Sequence, residues 1–436
     1  MMKITGNERK RMGAATVSAA ALLMAGCSGL APTAGTSTSN GSALHGSVYG
    51  GQQPISGANI YLYAAGTSGY GAANTNLLNT AVQTDASGMF NFTGDYTCTA
   101  GQQMYIVSVG GNPGAGTNAN ATLMAALGDC ANLGSTTFIN MNEVTTVGSV
   151  FALAPFMTSY SGIGTSAANN AGLVQAFASV KKLTNFSTGA AGAVAGATVP
   201  VAEIYSLANV LSSCINSTGG VAGDNSSCGT LFSLATPSGG TAPTETVGAA
   251  LLIAQNPANN AGPIFGRMPA QSPFAPVLTS APADWTMSIH YTSVGLNLPK
   301  STTVDANGNV WFANSGNNTV AVLAQTGVPI SGSPFSGNGL NAPAAIAMDA
   351  SGNAWVANMG ALSLSAFTST GGVYGSSPYT PAGLSAPDAL AFDASGDLWV
   401  ANSGNSSVSE LSNSGASLQQ ISSGVSAPGA IAIDPK

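Results

Sequence analysis

The sequence predicts a multidomain, mainly β chain: a small antiparallel β-sandwich, a small helical domain and a partial β-propeller of four-stranded blades. Three observations carry this. Between residues 44 and 112, short segments alternate apolar and polar side chains around glycine-rich turns, the period of half-buried strands. From 119 to 257, apolar residues recur at helical spacing instead. From 285 onward the chain repeats itself with a period near 44 residues, the length of a four-stranded propeller blade.

The chain has 436 residues, room for two to four domains. Only 6% are charged, against about 25% in an ordinary soluble protein. Gly, Ser, Thr, Asn and Ala fill the difference, so the surface is hydrated by hydroxyls and amides. The formal net charge is −7. Four of the nine basic residues (Lys3, Arg9, Lys10 and Arg11) and one of the sixteen acids (Glu8) lie in the first 26 residues. The remainder has no basic patch able to neutralise phosphates, which excludes nucleic acid as a partner.

Residues 1–26 read as an export signal. The four cations precede the apolar run "MGAATVSAAALLMAG", which is too short for a spanning helix and suits a secretory h-region. The stretch Leu23-Met24-Ala25-Gly26-Cys27 resembles the lipobox of bacterial lipoproteins, with Met24 where leucine is commonest. That resemblance implies diacylation of the Cys27 thiol, cleavage before it, and a membrane partner reached through lipid. Ser28 in place of Asp implies, by the same resemblance, an outer-membrane address in the cell envelope. Residues 27–43 have no periodicity and read as a flexible tether.

Residues 44–118 form the expected sandwich. Ile60 and Leu62 alternate with Tyr61 and Tyr63, Phe90 and Phe92 share one face, and "MYIVSV" (104–109) is a further strand. The residues Gly46-x-Val48, Pro54-Ile55-x-Gly57-Ala58-x-Ile60-x-Leu62, Asp85-x-x-Gly88-x-Phe90-x-Phe92 and Tyr105-x-Val107 resemble the carboxypeptidase regulatory-like family. The resemblance implies an accessory sandwich on a secreted protein, without chemistry of its own.

Residues 119–257 read as the helical domain. Val144, Val147, Phe151 and Ala154 are spaced for one helix, and Leu173, Phe177 and Val180 for a second. Val201, Ile204, Leu207 and Leu211 come after Pro200 in a third, and Asn256-Pro257 stops the last. Residues 258–284 carry a proline every few positions and read as a linker.

Residues 285–436 are the repeats. Pro299, Pro343, Pro387 and Pro428 are 44, 44 and 41 residues apart, and Trp311, Trp355 and Trp399 recur every 44. Each unit holds an Asp-x-x-Gly: Asp305 with Gly308, Asp349 with Gly352, and Asp393 with Gly396. Gly supplies positive φ and Asp accepts backbone N–H groups, so these read as structural turns between strands. A calcium loop needs six or more oxygens, and each copy offers one carboxylate, or two in the third (Asp393, Asp397), so no metal site is expected. Asn314, Asn358 and Asn402 are expected to cap the turns just after them. The pattern Pro-x-x-Ile/Leu-Ala-x-Asp-x-x-Gly-Asn/Asp-x-Trp-Val-Ala-Asn resembles NHL-repeat and streptogramin-lyase-like propellers. Lyases of that group depend on a His, a Glu and magnesium, and the related gluconolactonases on a carboxylate-held divalent ion. His290 and Glu410 match no such position; they read as a surface imidazole and a solvated strand carboxylate. About three blades are expected, plus the leading strand of a fourth. A six-bladed ring would need about 264 residues, so either the sequence is cut short or the blades remain an open arc, with apolar residues such as Trp399 and Val400 at an unpaired edge.

Four cysteines remain beside Cys27, and three pairings are possible. The local one, Cys98–Cys130 with Cys214–Cys228, is favoured because the cysteines fall in two local groups along the chain. No catalytic residue and no cofactor are expected. The function expected is that of a non-catalytic envelope lipoprotein presenting binding modules to an extracellular or periplasmic protein or glycan. The alternative is an exported propeller enzyme of the lyase or lactonase type.

Overall fold

Strand Leu44–Gly50 (β1) opens the N-terminal half of a computed structural model that describes residues 38–292 and 295–434. The leader, Cys27 and most of the expected tether lie outside the described residues. Order begins before residue 44: Thr38–Asn40 pairs antiparallel with Thr97–Thr99.

β1 sits at the centre of one sheet. Met89–Phe92 pairs antiparallel with it on one edge, and Phe138–Met141 pairs parallel on the other. A second, antiparallel sheet places Asn59–Ala64 (β2), Gln103–Val109 (β3) and Thr122–Asp129 (β4) side by side, with Val82–Gln83 outside β2. Phe90 and Phe92 point inward while Met89 and Asn91 face water. β3 and β4 are buried at nearly every position.

Helices account for that burial. Glu143–Leu153 (α1), Asn170–Leu183 (α2) and Thr246–Gln255 (α5) lie against β4, with Val201–Ile215 (α3) and Ser227–Ala235 (α4) packed on them. The expected faces pack inward: Val144 and Val147 on α1, Leu173, Phe177 and Val180 on α2, and Ile204, Leu207 and Leu211 on α3. α1 starts in a capping box in which Asn142 and Thr145 exchange hydrogen bonds.

One apolar cluster runs from Leu44 to Trp285. The sandwich and the helices therefore share a core, and the boundary expected at 118/119 falls inside it. β4 and Phe138–Met141, both beyond that boundary, are strands of the two sheets. "TLMAALGD" shows no alternation because it is covered on both faces, and such a run resembles a buried helix in sequence.

β4 is also an edge strand, and its outward N–H groups need acceptors. Thr146 Oγ1 accepts from Met124 N (3.0 Å), Ser149 Oγ from Ala126 N (3.0 Å) and Thr246 Oγ1 from Thr122 N (2.9 Å). These fully buried hydroxyls on α1 and α5 complete a ladder that lacks a neighbouring strand.

The segment expected as a linker, 258–284, is packed instead. Ala261–Phe265 is a short helix with Ile264 buried, and Phe274 and Leu278 lie against the core. Asn209 on α3 exchanges hydrogen bonds with the Phe274 backbone, and Ser206 Oγ accepts from Leu278 N. Polar side chains of α3 thus satisfy a strap that is poor in donors of its own. Trp285 is fully buried at the end of this core and contributes nothing to the repeats.

The repeats begin at Pro299. The first blade consists of Pro299–Val304 (β5), Val310–Asn314 (β6), Thr319–Leu323 (β7) and Phe335–Ser336 (β8). The second has Pro343–Met348 (β9), Ala354–Asn358 (β10) and Ser363–Phe367 (β11), extended by two bridges, Leu364 to Tyr379 and Phe367 to Val373. The third has Pro387–Phe392 (β12), Leu398–Asn402 (β13), Ser407–Leu411 (β14) and Ser417–Ile421 (β15). Residues 422–434 carry no strand, which corrects the expected leading strand of a fourth unit. They do enter in register: Ala427 N donates to Ser406 Oγ as Ala342 N donates to Asn318 Oδ1.

The fold is mainly β, built of many small antiparallel sheets, and no closed barrel is present among the described residues. No described helix is long and apolar enough to cross a membrane.

Candidate functional site

Each repeat turns on the same seven-residue device. Asp305 Oδ1 accepts from the backbone N–H groups of Asn307 and Asn309, both at 2.9 Å. Its Oδ2 accepts from Asn309 Nδ2 (2.9 Å) and from the indole Nε1 of Trp311 (3.0 Å). Gly308 has φ 74° and donates its N–H to Asp305 O, a conformation that favours glycine. Asp349 repeats the arrangement with Ser351, Asn353 and Trp355, and Asp393 with Ser395, Asp397 and Trp399. One carboxylate therefore closes the turn and anchors the blade's tryptophan. The expected turn role is extended: the indole, six residues on, is a partner that the turn motif alone does not reveal.

Burial opposes ionisation of Asp305, but the hydrogen bonds from Trp311, Asn309 and Asn307 outweigh it and hold its carboxyl below the ordinary value. The bond from Trp399 does the same for Asp393.

Tryptophan then joins blade to blade. Trp311 packs with Ile346 and Phe367 of the second blade. Trp355 stacks on Tyr379 at 4.9 Å and meets Phe392 of the third blade edge-on at 6.1 Å. Trp399 meets no further blade among the described residues and is half-exposed, whereas Val400 is fully buried, which corrects its expected place at an open edge.

Asn314, Asn358 and Asn402 are fully buried. Each side-chain oxygen accepts a backbone N–H seventeen residues earlier, from Asn297, Asn341 and Ser385 respectively, at 3.2 Å. Their amide nitrogens donate to hydroxyls of the next strand, Thr319, Ser363 and Ser365, and Ser407 and Ser409. They staple the inner strands rather than capping the adjacent turn.

The third blade differs in chemistry. Asp397 stands where the other blades have Asn309 and Asn353, and Glu410 pairs across from Trp399. Oxygens of Asp393, Asp397 and Glu410 lie within 4.8 Å of one another, all three half-buried. These residues could hold a divalent cation. Their donors, however, are partly committed: Asp393 already accepts two backbone N–H groups and an indole N–H, and Glu410 accepts from Gln419 Nε2. What remains is fewer oxygens than calcium takes from a protein loop. Glu410, read as a solvated carboxylate, is thus gathered with two others by strand pairing invisible to a motif. His290 is exposed, as expected, and its Nε2 lies 2.9 Å from Ser288 Oγ.

Two further carboxylates carry no sequence signal. Glu143 is fully buried at the start of α1, and both its oxygens accept from Gly51 N at 2.9 Å. Burial pushes it up to about 8. Glu245 caps α5, accepting from Val247 and Gly248, and burial raises it to about 7. Both act on backbone N–H groups at turns and helix ends.

Cys98 is joined to Cys130 and Cys214 to Cys228, the local pairing. The second pair is fully buried between α3 and α4. A loop of this length contributes about 3 kcal/mol in the chain-entropy picture.

No known family profile matches the chain, and no curated protein matches it. Among solved structures it is similar to a catalytically inactive variant of virginiamycin B lyase from Staphylococcus aureus with quinupristin. The identity is 18% over 31% of this chain and 44% of that one, at a TM-score of 0.28. It is also similar to the hydrazine synthase of Kuenenia stuttgartiensis (16% identity, 32% and 40% covered, TM-score 0.28). A protein of unknown function from Bacteroides caccae is a third (17%, 29% and 47%, TM-score 0.24). The chain spans less than half the length of each. The streptogramin-lyase-like neighbours are propeller proteins; at these scores the likeness is partial, and it bears on no activity.

Proposed function

We propose that this chain is a non-catalytic cell-envelope lipoprotein, anchored through Cys27, whose modules bind an extracellular or periplasmic protein or glycan. The observation that carries the reading is the commitment of the repeat carboxylates. Asp305, Asp349 and Asp393 each accept from turn N–H groups and an indole, so the element repeated most often builds scaffold. Around it the surface is amide and hydroxyl, which suits recognition of neutral polar partners. General acid–base chemistry needs titratable groups poised toward a substrate, and the buried Glu143 and the half-buried Glu245 are turned onto backbone.

A second reading, an exported propeller enzyme of the lyase or lactonase type, is favoured by one observation, the juxtaposition of Asp393, Asp397 and Glu410. Metal analysis of the purified protein, together with streptogramin and lactone turnover assays, separates the two. Stoichiometric divalent metal with turnover that Glu410→Gln abolishes would establish the enzyme and end the binding-module reading.

A further inference from the structure

The hairpin turn Gly51-Gln52 stands between two cavities, one of about 440 Å³ and one of about 300 Å³, and lines both. Both volumes lie at the lower end of the ~300–1,000 Å³ range of small-ligand sites. We propose that they form one cleft that binds a neutral oligosaccharide. The inference rests on the binding-module reading above and assigns it a place and a ligand class.

The lining is the first argument. No Asp, Glu, Lys, Arg or His side chain lines either cavity. The larger presents the amides of Gln52, Gln271 and Asn216, and the smaller adds the aromatic rings of Tyr49 and Phe274. Amides carry donors and acceptors side by side, and so do sugar hydroxyls. Aromatic rings and prolines offer apolar surface to the C–H faces of a pyranose. A charged ligand would lose hydration here without meeting a counter-charge. An extended peptide would look for a strand edge, whereas the feature that separates the cavities is a turn.

The second argument is an unmet hydrogen bond. Asn216 Oδ1 is buried without a donor, lying over Gly50 where an added Cβ would approach it to 2.5 Å. Its amide nitrogen has no acceptor among the described residues. Buried polar atoms are normally paired, so this side chain is a ready partner for hydroxyls entering the cleft.

Third, the floor is rigid before anything binds. Glu143 grips Gly51 N with both oxygens, Gly51 has φ 59°, and Pro273 closes over it, 3.0 Å from where a Cβ would stand. Gln52, by contrast, is exposed, and its Nε2 makes only a 3.4 Å bond to Pro273 O. A fixed floor with reorientable amides lowers the ordering cost of binding.

The test is calorimetry on the full chain with cello-, malto-, xylo-, manno- and N-acetylchito-hexaose as probes, and hexa-alanine and trigalacturonate as comparators. Gln52 and Gln271 are exposed, so Gln52→Ala and Gln271→Ala leave the fold intact, which circular dichroism checks. At least one neutral hexasaccharide should bind, each variant should weaken it fivefold or more, and the comparators should not bind. The proposal is overturned if none of the five sugars binds at millimolar concentration, or if hexa-alanine binds and the variants abolish it. Sugar binding that both variants leave unchanged would also overturn it, while leaving the binding-module reading standing. Shortening of a bound hexasaccharide would overturn the non-catalytic reading and leave the cleft assigned.

Discussion

Replacing Asp305 by alanine removes the acceptor of four hydrogen bonds, and their surroundings set the cost. Trp311 is fully buried, so its indole N–H would lose Asp305 Oδ2 with no water in reach. Leaving a buried donor unmet costs about 1–3 kcal/mol. The N–H groups of Asn307 and Asn309 lie in a turn open to water, and losing their bonds costs about 0.5–1 kcal/mol each. The loss expected for Asp305→Ala is therefore about 3 kcal/mol. Asp393→Ala deletes only three bonds, because Asp397 has no amide to donate, and its indole partner Trp399 is half-exposed and can turn to water. There the loss should be smaller than at Asp305. Urea unfolding monitored by tryptophan fluorescence reads both; with a slope of about 2–3 kcal/mol per molar, the midpoint should fall by about 1 M for Asp305→Ala and by less for Asp393→Ala. Asp305→Asn should fare little better than alanine if its amide nitrogen is turned toward the indole, because two donors would then face each other. Equal losses at 305 and 393 would refute the argument, since burial of the indole would then be irrelevant. So would a loss that adding EDTA to the native protein reproduces, because the carboxylate would then act through a metal.

Three more outcomes depend on particular groups. Glu143 and Glu245 are raised in the fold to about 8 and 7 from 4.5, so their contribution is whole below pH 4.5 and is lost as pH rises through the folded values. Asp305 and Asp393 are lowered, and their contribution, present above the unfolded carboxylate value, fades only in acid. Melting temperature should hence fall between pH 5 and 8, and Glu143→Gln should flatten that slope; an unchanged slope rejects the assignment. Thr146→Val and Ser149→Ala strip acceptors from the edge of β4, each costing about 1–3 kcal/mol. Amide exchange at Met124 and Ala126 should accelerate, and protection equal to the native protein would mean that the ladder is completed some other way. Cys27→Ser should leave an uncleaved or soluble precursor; mass spectrometry finding an unacylated native N-terminus elsewhere than Cys27 would end the anchor proposal.

By itself the sequence determined what is decided within a few residues or by exact repetition. The Asp-x-x-Gly turn closes over four positions and its indole partner comes soon after, so the device is complete in each copy of the 44-residue period. Helical faces and the stop at Asn256-Pro257 were legible for the same reason, and so were both disulfides, Cys98–Cys130 and Cys214–Cys228. The tertiary structure alone decided where distant segments meet. β4 has no alternation of its own and becomes a strand through neighbours that cover both faces, and the four residues Phe138–Met141 are too short a signal until they pair in parallel with β1. The hydroxyls of Thr146, Ser149 and Thr246 looked like ordinary helix positions until an edge strand needed acceptors, one of them 124 residues away. The prolines of 258–284 suggested a linker, yet Asn209 and Ser206 bind that segment as a strap. Glu143 reaches Gly51 across 92 residues to build the floor of the cleft, and Glu410 joins Asp393 and Asp397 only through pairing of β13 with β14. Local hydrogen bonds are written in spacing; burial from both sides, and the polar groups it obliges to find partners, are properties of the packed chain.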